Sequence, residues 1–295
     1  MKLGLGTVQF GLDYGITNTA GQPPLEAVRS ILGHAIRHGV HTLDTAALYG
    51  DSESVLGQAL PRPHPFSIVS KTLPLDTALS EQRAISVISA GIDRSLQRLG
   101  EPRLSGLLVH RPDDLLGPMG DALFEALNTL RSQGLVKKIG VSVYTPQEAL
   151  TLLRRYPIEI VQLPLNPLDQ RHLREGSVHE LAHAGVEIHV RSAFLQGLLL
   201  APSRPLPSGL EGLAPAMAAW QSLLATEQLT PLQASLAFLR GIPAVSVTVC
   251  GATSLTEWQE IVAAYDSAPA LPTELFKKLP ILDDKLIDPR FWPKR

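Results

Sequence analysis

The sequence of 295 residues predicts an α/β protein, a (β/α)8 TIM barrel, from two observations. Short apolar runs alternate with longer amphipathic stretches, which is the pattern of parallel strands separated by helices. Three consecutive apolar runs also end on ionisable residues, namely Asp44, Lys71 and His110. A buried strand has no packing reason to end in this way, and the carboxyl ends of barrel strands gather on the face that carries the active site. We therefore expect a single domain over residues 1–295 with one site on that face.

Eight runs fit strands that are buried on both faces, because most of them are rich in Val, Ile and Leu. An open doubly wound sheet is the alternative, but LGLGTVQFG lacks the glycine spacing of a dinucleotide-binding turn. The predicted strands are Lys2–Gln9, His41–Asp44, Ser67–Lys71, Ser105–His110, Lys138–Val143, Glu159–Leu163, Glu187–Ser192 and Val245–Gly251.

Helical spacing of apolar residues fills the intervals between these runs. Glycine follows several of the helical segments as a C-terminal cap signal, and Thr145 followed by Pro146 marks a helix start. The Pro- and Gly-rich stretch Ala201–Leu213 predicts a binding loop on the active-site face. The predicted helices are Pro24–His38, Ser80–Leu99, Asp121–Gln133, Pro146–Arg155, Gly176–Ala184, Ala214–Glu227, Leu232–Leu239 and Leu255–Tyr265.

Composition narrows the class of protein. The net charge of −2 argues against a nucleic acid or an anionic membrane as partner. No run approaches the roughly 20 apolar residues that cross a bilayer, and the first residues do not form a secretory signal. The single cysteine, Cys250, excludes an intramolecular disulfide and fits a reducing compartment, so we expect a cytoplasmic protein. No obligate protein partner is evident.

The chain resembles the aldo-keto reductase superfamily along nearly its whole length. LGLGTVQFG is similar to the first-strand segment of that family, and DTAALYGDSESVLG is similar to its Asp and Tyr-Gly signature. VSKT, LLVHRPD, IGVSVY, VQLPLN and RSAFLQGLL then follow in the family's order. The combination is specific, because four active-site residue types must occur in order at the ends of successive strands. The resemblance implies the barrel fold and NAD(P)H-dependent reduction of a carbonyl, or the reverse oxidation of an alcohol or sugar.

The resemblance also implies roles for four residues. Tyr49 would be the general acid, Lys71 would lower its pKa from about 10, Asp44 would pair with Lys71, and His110 would orient the carbonyl. Each residue alone has a purely structural interpretation, such as a helix cap, a solvated strand end or a core histidine. Their joint occurrence at strand ends favours catalysis.

A nicotinamide groove is implied by the same resemblance. Ser142 and Gln162 would bind the carboxamide, although Val143 stands where the family commonly has Asn. The expected cofactor residues are Gly6, Thr7, Asp44, Ser142, Gln162, Arg191, Ser192, Phe194, Gln196, Gly197, Gly251, Thr253, Ser254 and Glu257.

Two departures concern the choice of cofactor. Arg191 stands where the family usually has an aromatic residue that stacks on the nicotinamide, and a stacked guanidinium would favour the reduced, uncharged ring. Alternatively, Arg191 pairs with a carboxylate or with the pyrophosphate. Gly251–Ala264 contains no Lys or Arg to hold a 2′-phosphate, and Ser254 to Glu257 predicts a capping box. The sequence therefore does not decide between NADPH and NADH as the cofactor. Arg204 is an alternative residue for binding the 2′-phosphate of NADPH.

The substrate is expected to be a small carbonyl compound or a sugar. Arg111 either contacts a carboxylate or a hydroxyl-rich sugar of the substrate or pairs with Asp113 and Asp114, and the pairing is the favoured interpretation. A metal site is not expected, because His34, His38 and His41 lack a suitable carboxylate. The rival hypothesis is a cofactor-binding regulatory or scaffold protein that keeps the barrel. The expected substrate residues are Tyr14, Leu48, Tyr49, His110, Arg111 and Tyr144.

Overall fold

The computed structural model describes residues 2–16, 18–76 and 80–293. Eight parallel strands form a closed barrel in which each strand pairs with the next and β8 pairs with β1. The predicted (β/α)8 fold is confirmed. The single domain over 1–295 stays a prediction, and its residues 1, 17, 77–79, 294 and 295 lie outside the described part. The strands are β1 Lys2–Gly6, β2 Thr42–Asp44, β3 Ser67–Lys71, β4 Gly106–Val109, β5 Ile139–Ser142, β6 Ile160–Pro164, β7 Glu187–Arg191 and β8 Val245–Gly251.

Helices follow the strands along the described chain. Short 3₁₀ segments lie at Leu195–Leu200, Glu211–Leu213, Thr273–Lys278 and Pro289–Phe291. The α-helices are α1 Val8–Gly11, α2 Leu25–Arg37, α3 Ser52–Ala59, α4 Glu81–Leu99, α5 Asp113–Leu116, α6 Gly120–Ser132, α7 Pro146–Arg155, α8 Arg171–Arg174, α9 Ser177–His183, α10 Ala214–Glu227, α11 Pro231–Arg240, α12 Leu255–Ser267 and α13 Asp284–Ile287.

The first strand is shorter than predicted. It ends at Gly6, and the residues up to Gln9 turn into α1 instead of continuing the strand. The reason is Thr7, whose backbone N–H and hydroxyl both donate to the carbonyl oxygen of Asp44 and so bend the chain towards β2. The predicted strand Lys2–Gln9 is therefore wrong in its last residues.

Helix α3 was not predicted, because the segment SESVLGQA is short and has a weak apolar pattern. Gly57 within it lies against α4, where an added Cβ would approach the carbonyl oxygen of Arg98 to 2.0 Å. The glycine that weakens the helical signal is thus the residue that lets α3 pack closely. The predicted start of α7 at Thr145 and Pro146 is confirmed, and Glu148 completes a capping box with Thr145 that was not predicted from the sequence.

The barrel interior holds an apolar layer below a polar layer. Val69, Leu108 and Ile160 form a separate buried cluster from β3, β4 and β6. Nearer the carboxyl ends of the strands, Gln162 of β6 donates to Asp44 of β2 at 2.6 Å. Because β2 and β6 are not neighbours, this bond crosses the interior and places both side chains inside the barrel.

Within the described ranges, none of the helices combines the length and the hydropathy needed to span a bilayer. The expected cytoplasmic location stays a prediction.

Candidate active site

A cavity of about 530 Å³ lies at the carboxyl ends of the strands. The structure brings most of the expected site residues together around it. The predicted residues that line it are Gly6, Thr7, Tyr14, Asp44, Tyr49, His110, Ser142, Tyr144, Gln162, Arg191, Ser192, Phe194, Gln196, Gly197, Gly251, Thr253 and Glu257.

The floor of the cavity contains a buried ion pair. The Lys71 ammonium donates to both carboxylate oxygens of Asp44, at 2.8 and 2.7 Å, and to the carbonyl oxygen of Thr45 at 2.9 Å. Lys71 is 1% exposed and Asp44 is 4% exposed, so the pair is almost fully removed from water. Burial lowers the pKa of Lys71, and the adjacent Asp44 carboxylate opposes this effect. The pair is therefore a fixed dipole beneath the cavity.

Tyr49 lies directly above this pair. The Lys71 nitrogen is 4.8 Å from the centroid of the Tyr49 ring, over the ring face. Burial raises the pKa of Tyr49 well above its usual value and the Asp44 carboxylate adds to the rise, whereas Arg191 acts in the opposite direction. Tyr49 consequently keeps its proton throughout the neutral range, as a proton donor requires. The expectation that the pKa of Tyr49 is lowered is wrong, because burial and the Asp44 carboxylate raise it.

Two glycines bring the Tyr49 loop against α1. A Cβ added to Gly11 would lie 1.9 Å from the carbonyl oxygen of Tyr49 and 2.3 Å from the backbone nitrogen of Ser52. Gly50 has a positive φ of 53°, and its Cβ would lie 2.1 Å from the carbonyl oxygen of Gly11. The buried Ser52 hydroxyl also donates to the carbonyl oxygen of Thr7 at 2.8 Å. Backbone packing thus sets the position of Tyr49.

His110 is the second polar group beside Tyr49. The two rings meet edge to face with their centroids 5.8 Å apart. Burial, helped by the nearby Lys71 charge, lowers the pKa of His110 to about 4. The imidazole is therefore neutral at physiological pH and carries one N–H that can be donated to a carbonyl oxygen.

The opposite side of the floor carries a buried amide oxygen that accepts no hydrogen bond within the described part of the chain. Gln162 is fully buried, its amide nitrogen is used by Asp44, and its Oε1 has no partner among the described residues. Ser142 pairs in register with Gln162 on the neighbouring strand and also lines the cavity. A buried acceptor without a donor is costly to maintain, and a ligand N–H would satisfy it.

The loop after β7 has an unusual backbone. Ser192, Leu195 and Gln196 have positive φ angles of 56°, 46° and 53°, and Gly197 follows at 95°. Each such non-glycine residue costs about 1 kcal/mol or more, and strain of this kind concentrates where ligands bind. Successive backbone N–H groups in such conformations form concave anion sites. The loop therefore has a backbone conformation that can hold an anionic group.

The start of α12 supplies two carboxylates to the far end of the cavity. Glu257 accepts from the backbone N–H and the hydroxyl of Thr253, at 2.7 and 2.8 Å. Glu260, one turn later, also lines the cavity. Ser254 caps the helix by accepting from the Glu257 N–H, so one half of the predicted capping box is present. Negative charge at this end disfavours a phosphate group.

Arg191 contacts an aromatic side chain of the protein itself. Its guanidinium carbon lies 4.1 Å from the centroid of the Tyr144 ring, and Nη2 donates to the carbonyl oxygen of Val143 at 3.0 Å. Among the described residues, Arg191 is the only Lys or Arg side chain that lines the cavity.

Four expected residues lie outside the cavity lining. Lys71 is beneath the floor, and Ser254 acts as the cap of α12. Arg111 adopts the alternative pairing, because its Nη2 and Nε atoms donate to Asp114 at 2.5 and 2.9 Å. Leu48 is 45% exposed on the rim. The roles predicted for these residues stay untested.

Several lining residues were missed from the sequence. Gln9, Asn18, Thr19 and Ala20 reach the cavity from α1 and the loop after it, and Glu260 reaches it from α12. Gln9 was assigned to a strand, and the loop residues carry no periodic signal. The helical spacing of Glu257 and Glu260 is the one signal that could have indicated a shared face.

The chain is similar to several known proteins. An aldo-keto reductase of Mycolicibacterium smegmatis is 32% identical over 184 residues, which cover 61% of this chain and 64% of that protein. A Schizosaccharomyces pombe protein that bears the name of a voltage-gated potassium channel subunit beta is 26% identical over 94% of this chain and 90% of its own length. The solved holo form of the aldo-keto reductase AKR11C1 from Bacillus halodurans shares the fold, with a TM-score of 0.77 and 23% identity over 97% of this chain and 95% of that one.

The first of these relatives is matched over less than two thirds of its length. The model of the Aldo/keto reductase family, by contrast, matches residues 2–284, which is nearly the whole chain. Together with the closed parallel barrel, that match shows that this chain belongs to the aldo/keto reductase family.

Proposed function

We propose that this protein is an NAD(P)H-dependent oxidoreductase that reduces the carbonyl group of a small aldehyde, ketone or sugar, with Tyr49 as the proton donor. The observation that carries the proposal is the placement of Tyr49 beside His110, above the buried Lys71–Asp44 pair and inside the cavity. The exact substrate is left to a panel of compounds.

The proposed proton transfer follows from the protonation states of Tyr49 and His110. When bound, the nicotinamide cofactor supplies the hydride for the carbonyl carbon. Tyr49 donates its proton to the carbonyl oxygen, and neutral His110 donates a hydrogen bond to the same oxygen and orients it. The Lys71 charge under the Tyr49 ring favours the phenolate that remains. Because burial keeps Tyr49 protonated beforehand, its proton is available for donation to the carbonyl oxygen.

The residues assigned to the cofactor form three groups. Gln162 and Ser142 would hold the carboxamide, the strained loop Ser192–Gly197 would hold the pyrophosphate, and α12 would face the adenosine ribose. At that last position Glu257 and Glu260 can accept hydrogen bonds from ribose hydroxyls, whereas they would repel a 2′-phosphate. We therefore assign NADH as the preferred cofactor.

Arg191 would favour the reduced form of that cofactor. The oxidised nicotinamide carries a positive charge and the reduced ring is neutral, so a guanidinium in the cavity weakens binding of the oxidised form. Two like charges about 4 Å apart repel by about 1–4 kcal/mol, depending on how much water screens them.

The test begins with binding. NADH and NADPH are titrated by fluorescence, and turnover is then measured with a panel of aldehydes and sugars. Tyr49→Phe should bind NADH with an unchanged Kd and lose about 10²–10⁴-fold in turnover. Tyr265→Phe, outside the cavity, is the matched control. Full turnover of Tyr49→Phe would remove Tyr49 from the mechanism.

A regulatory protein on the same barrel is the second candidate. It is favoured by Val143, Arg191 and the acidic start of α12, which depart from the family's cofactor groove. The similarity to the S. pombe protein named as a channel subunit beta also favours it. Tight NADH binding without turnover of any compound in the panel would support this candidate over the enzyme.

A further inference from the structure

The C-terminal segment places a second guanidinium on Tyr144. The guanidinium carbon of Arg290 lies 3.7 Å from the centroid of the Tyr144 ring, and that of Arg191 lies 4.1 Å from the same centroid. Two guanidinium groups at these distances cannot share one face of a ring, because they would overlap and repel. The Tyr144 ring therefore lies between them, with Arg191 on the cavity side of the stack.

Arg290 is the firmly held member of this stack. Its Nε and Nη2 atoms donate to the Asp288 carboxylate, with distances of 3.0 and 2.6 Å to Oδ2, and Asp288 is only 1% exposed. The segment is anchored further by Trp292, which is 7% exposed and donates from its indole nitrogen to the carbonyl oxygen of Leu286 at 3.1 Å. The charge of Arg290 is thus neutralised and its plane is fixed.

Arg191 is held much less firmly. No carboxylate of the described chain lies within ion-pair distance of it, and its side-chain bonds go to the carbonyl oxygen of Val143 and, at 3.4 Å, to the Ser192 hydroxyl. The face of the Tyr144 ring is the remaining contact that defines the guanidinium plane. Anything that lets Tyr144 rotate away would allow Arg191 to move towards water, where its charge is screened.

We propose that Arg290 is a positioning residue which, through Tyr144, holds the Arg191 guanidinium in the cavity and thereby sets the preference for reduced over oxidised nicotinamide. The inference rests on the proposed function, in which Arg191 faces the nicotinamide. Since Asp288 neutralises Arg290, its effect arises from orientation and not from its own charge. A residue near the end of the described chain thus acts on cofactor selection.

The experiment measures the dissociation constants of NADH and NAD⁺ by titration, without turnover. The readout is the ratio of the Kd for NAD⁺ to the Kd for NADH. Arg290→Ala should lower this ratio by about fivefold, the equivalent of one cation–π contact of about 1 kcal/mol. Arg290→Lys keeps a cation on the ring and should lower it by less, about twofold.

Two controls separate positioning from general damage. Arg240 lies 5.4 Å from the Tyr265 ring in another Arg–Tyr stack, outside the cavity, so Arg240→Ala should leave the ratio unchanged. In an Arg191→Gln background, Arg290→Ala should have no further effect on the ratio. Melting temperatures establish that each variant is folded.

The results test the role of Arg191 separately from the role of Arg290. Equal Kd values in the unchanged protein would overturn the role assigned to Arg191 under the proposed function. A Kd ratio that is unchanged in folded Arg290→Ala, or unchanged in Arg290→Lys if the alanine variant does not fold, would overturn the positioning role of Arg290 alone. If Arg240→Ala lowers the Kd ratio as much as Arg290→Ala does, the positioning role of Arg290 is also overturned.

Discussion

Replacing Gly11 with alanine should lower turnover while leaving cofactor binding intact. The added Cβ would lie 1.9 Å from the carbonyl oxygen of Tyr49 and 2.3 Å from the backbone nitrogen of Ser52. Ordinary contacts begin at about 3 Å, so the Tyr49 loop must retreat by about 1 Å, and a misplacement of this size lowers rates by about 100-fold. We therefore expect kcat/KM to fall by about 100-fold.

The assay combines steady-state kinetics with an NADH titration and a thermal melt. The Kd for NADH should stay within about threefold, because Gln162 and the loop after β7 do not touch Gly11. Gly91→Ala is the matched control, since a Cβ there meets nothing within 4 Å and alanine stabilises a helix by about 1 kcal/mol relative to glycine. A folded Gly11→Ala protein with unchanged kcat/KM would refute the claim that this contact positions Tyr49.

Three further predictions concern charge. Asp44→Asn leaves the buried Lys71 ammonium without its carboxylate, so the free energy of unfolding in urea should fall by about 3–5 kcal/mol; an unchanged value would show that the pair adds no stability. Burial and the Arg171 charge lower the pKa of His172 to about 3. Between that value and about 6.5, the unfolded chain binds a proton that the folded protein does not. The free energy of unfolding should therefore fall as the pH is lowered through this window. Urea melts across this range give the free energy of unfolding as a function of pH, and the slope of this function counts the protons taken up on unfolding. His172→Gln should reduce that number by up to one. An identical slope in the variant would contradict the assignment to His172. Glu260→Gln removes a charge from the far end of the cavity and should tighten NADPH binding by about fivefold with little change for NADH; equal shifts for both cofactors would place Glu260 elsewhere.

The parts of the site that the sequence predicted have a common physical origin. Asp44, Lys71 and His110 stand at or just after the ends of β2, β3 and β4, and parallel strands in register bring such ends to one face. A break in an apolar run is visible in the sequence, and barrel closure then determines where the side chain lies. Ser142, Gln162 and Arg191 were implied by the resemblance to the family, and they line the same cavity.

The residues that escaped prediction reach the cavity by other routes. Gln9 belongs to a four-residue helix that begins because Thr7 binds Asp44, a contact made across 37 positions of the chain. Arg290 depends on how the C-terminal segment folds onto Tyr144. Contacts of this kind have no local pattern, since they arise only when distant segments pack. The position of the Lys71 nitrogen over the face of the Tyr49 ring likewise results from packing.

The left-handed run in the loop after β7 limits how this protein can be improved. Directed evolution for heat resistance would favour asparagine or glycine at Gln196, because these residues tolerate a positive φ. The neighbouring Leu195 would be retained, because it is fully buried in the core and its apolar side chain stabilises the fold by more than its backbone strain costs. Such substitutions at Gln196 relax the backbone at the place where the phosphates are proposed to bind, and a looser loop binds them more weakly. Libraries selected for thermal tolerance alone should therefore accumulate changes at Gln196 together with a loss of cofactor affinity. Stabilisation is better sought on the exposed faces of the outer helices, where activity is not at stake.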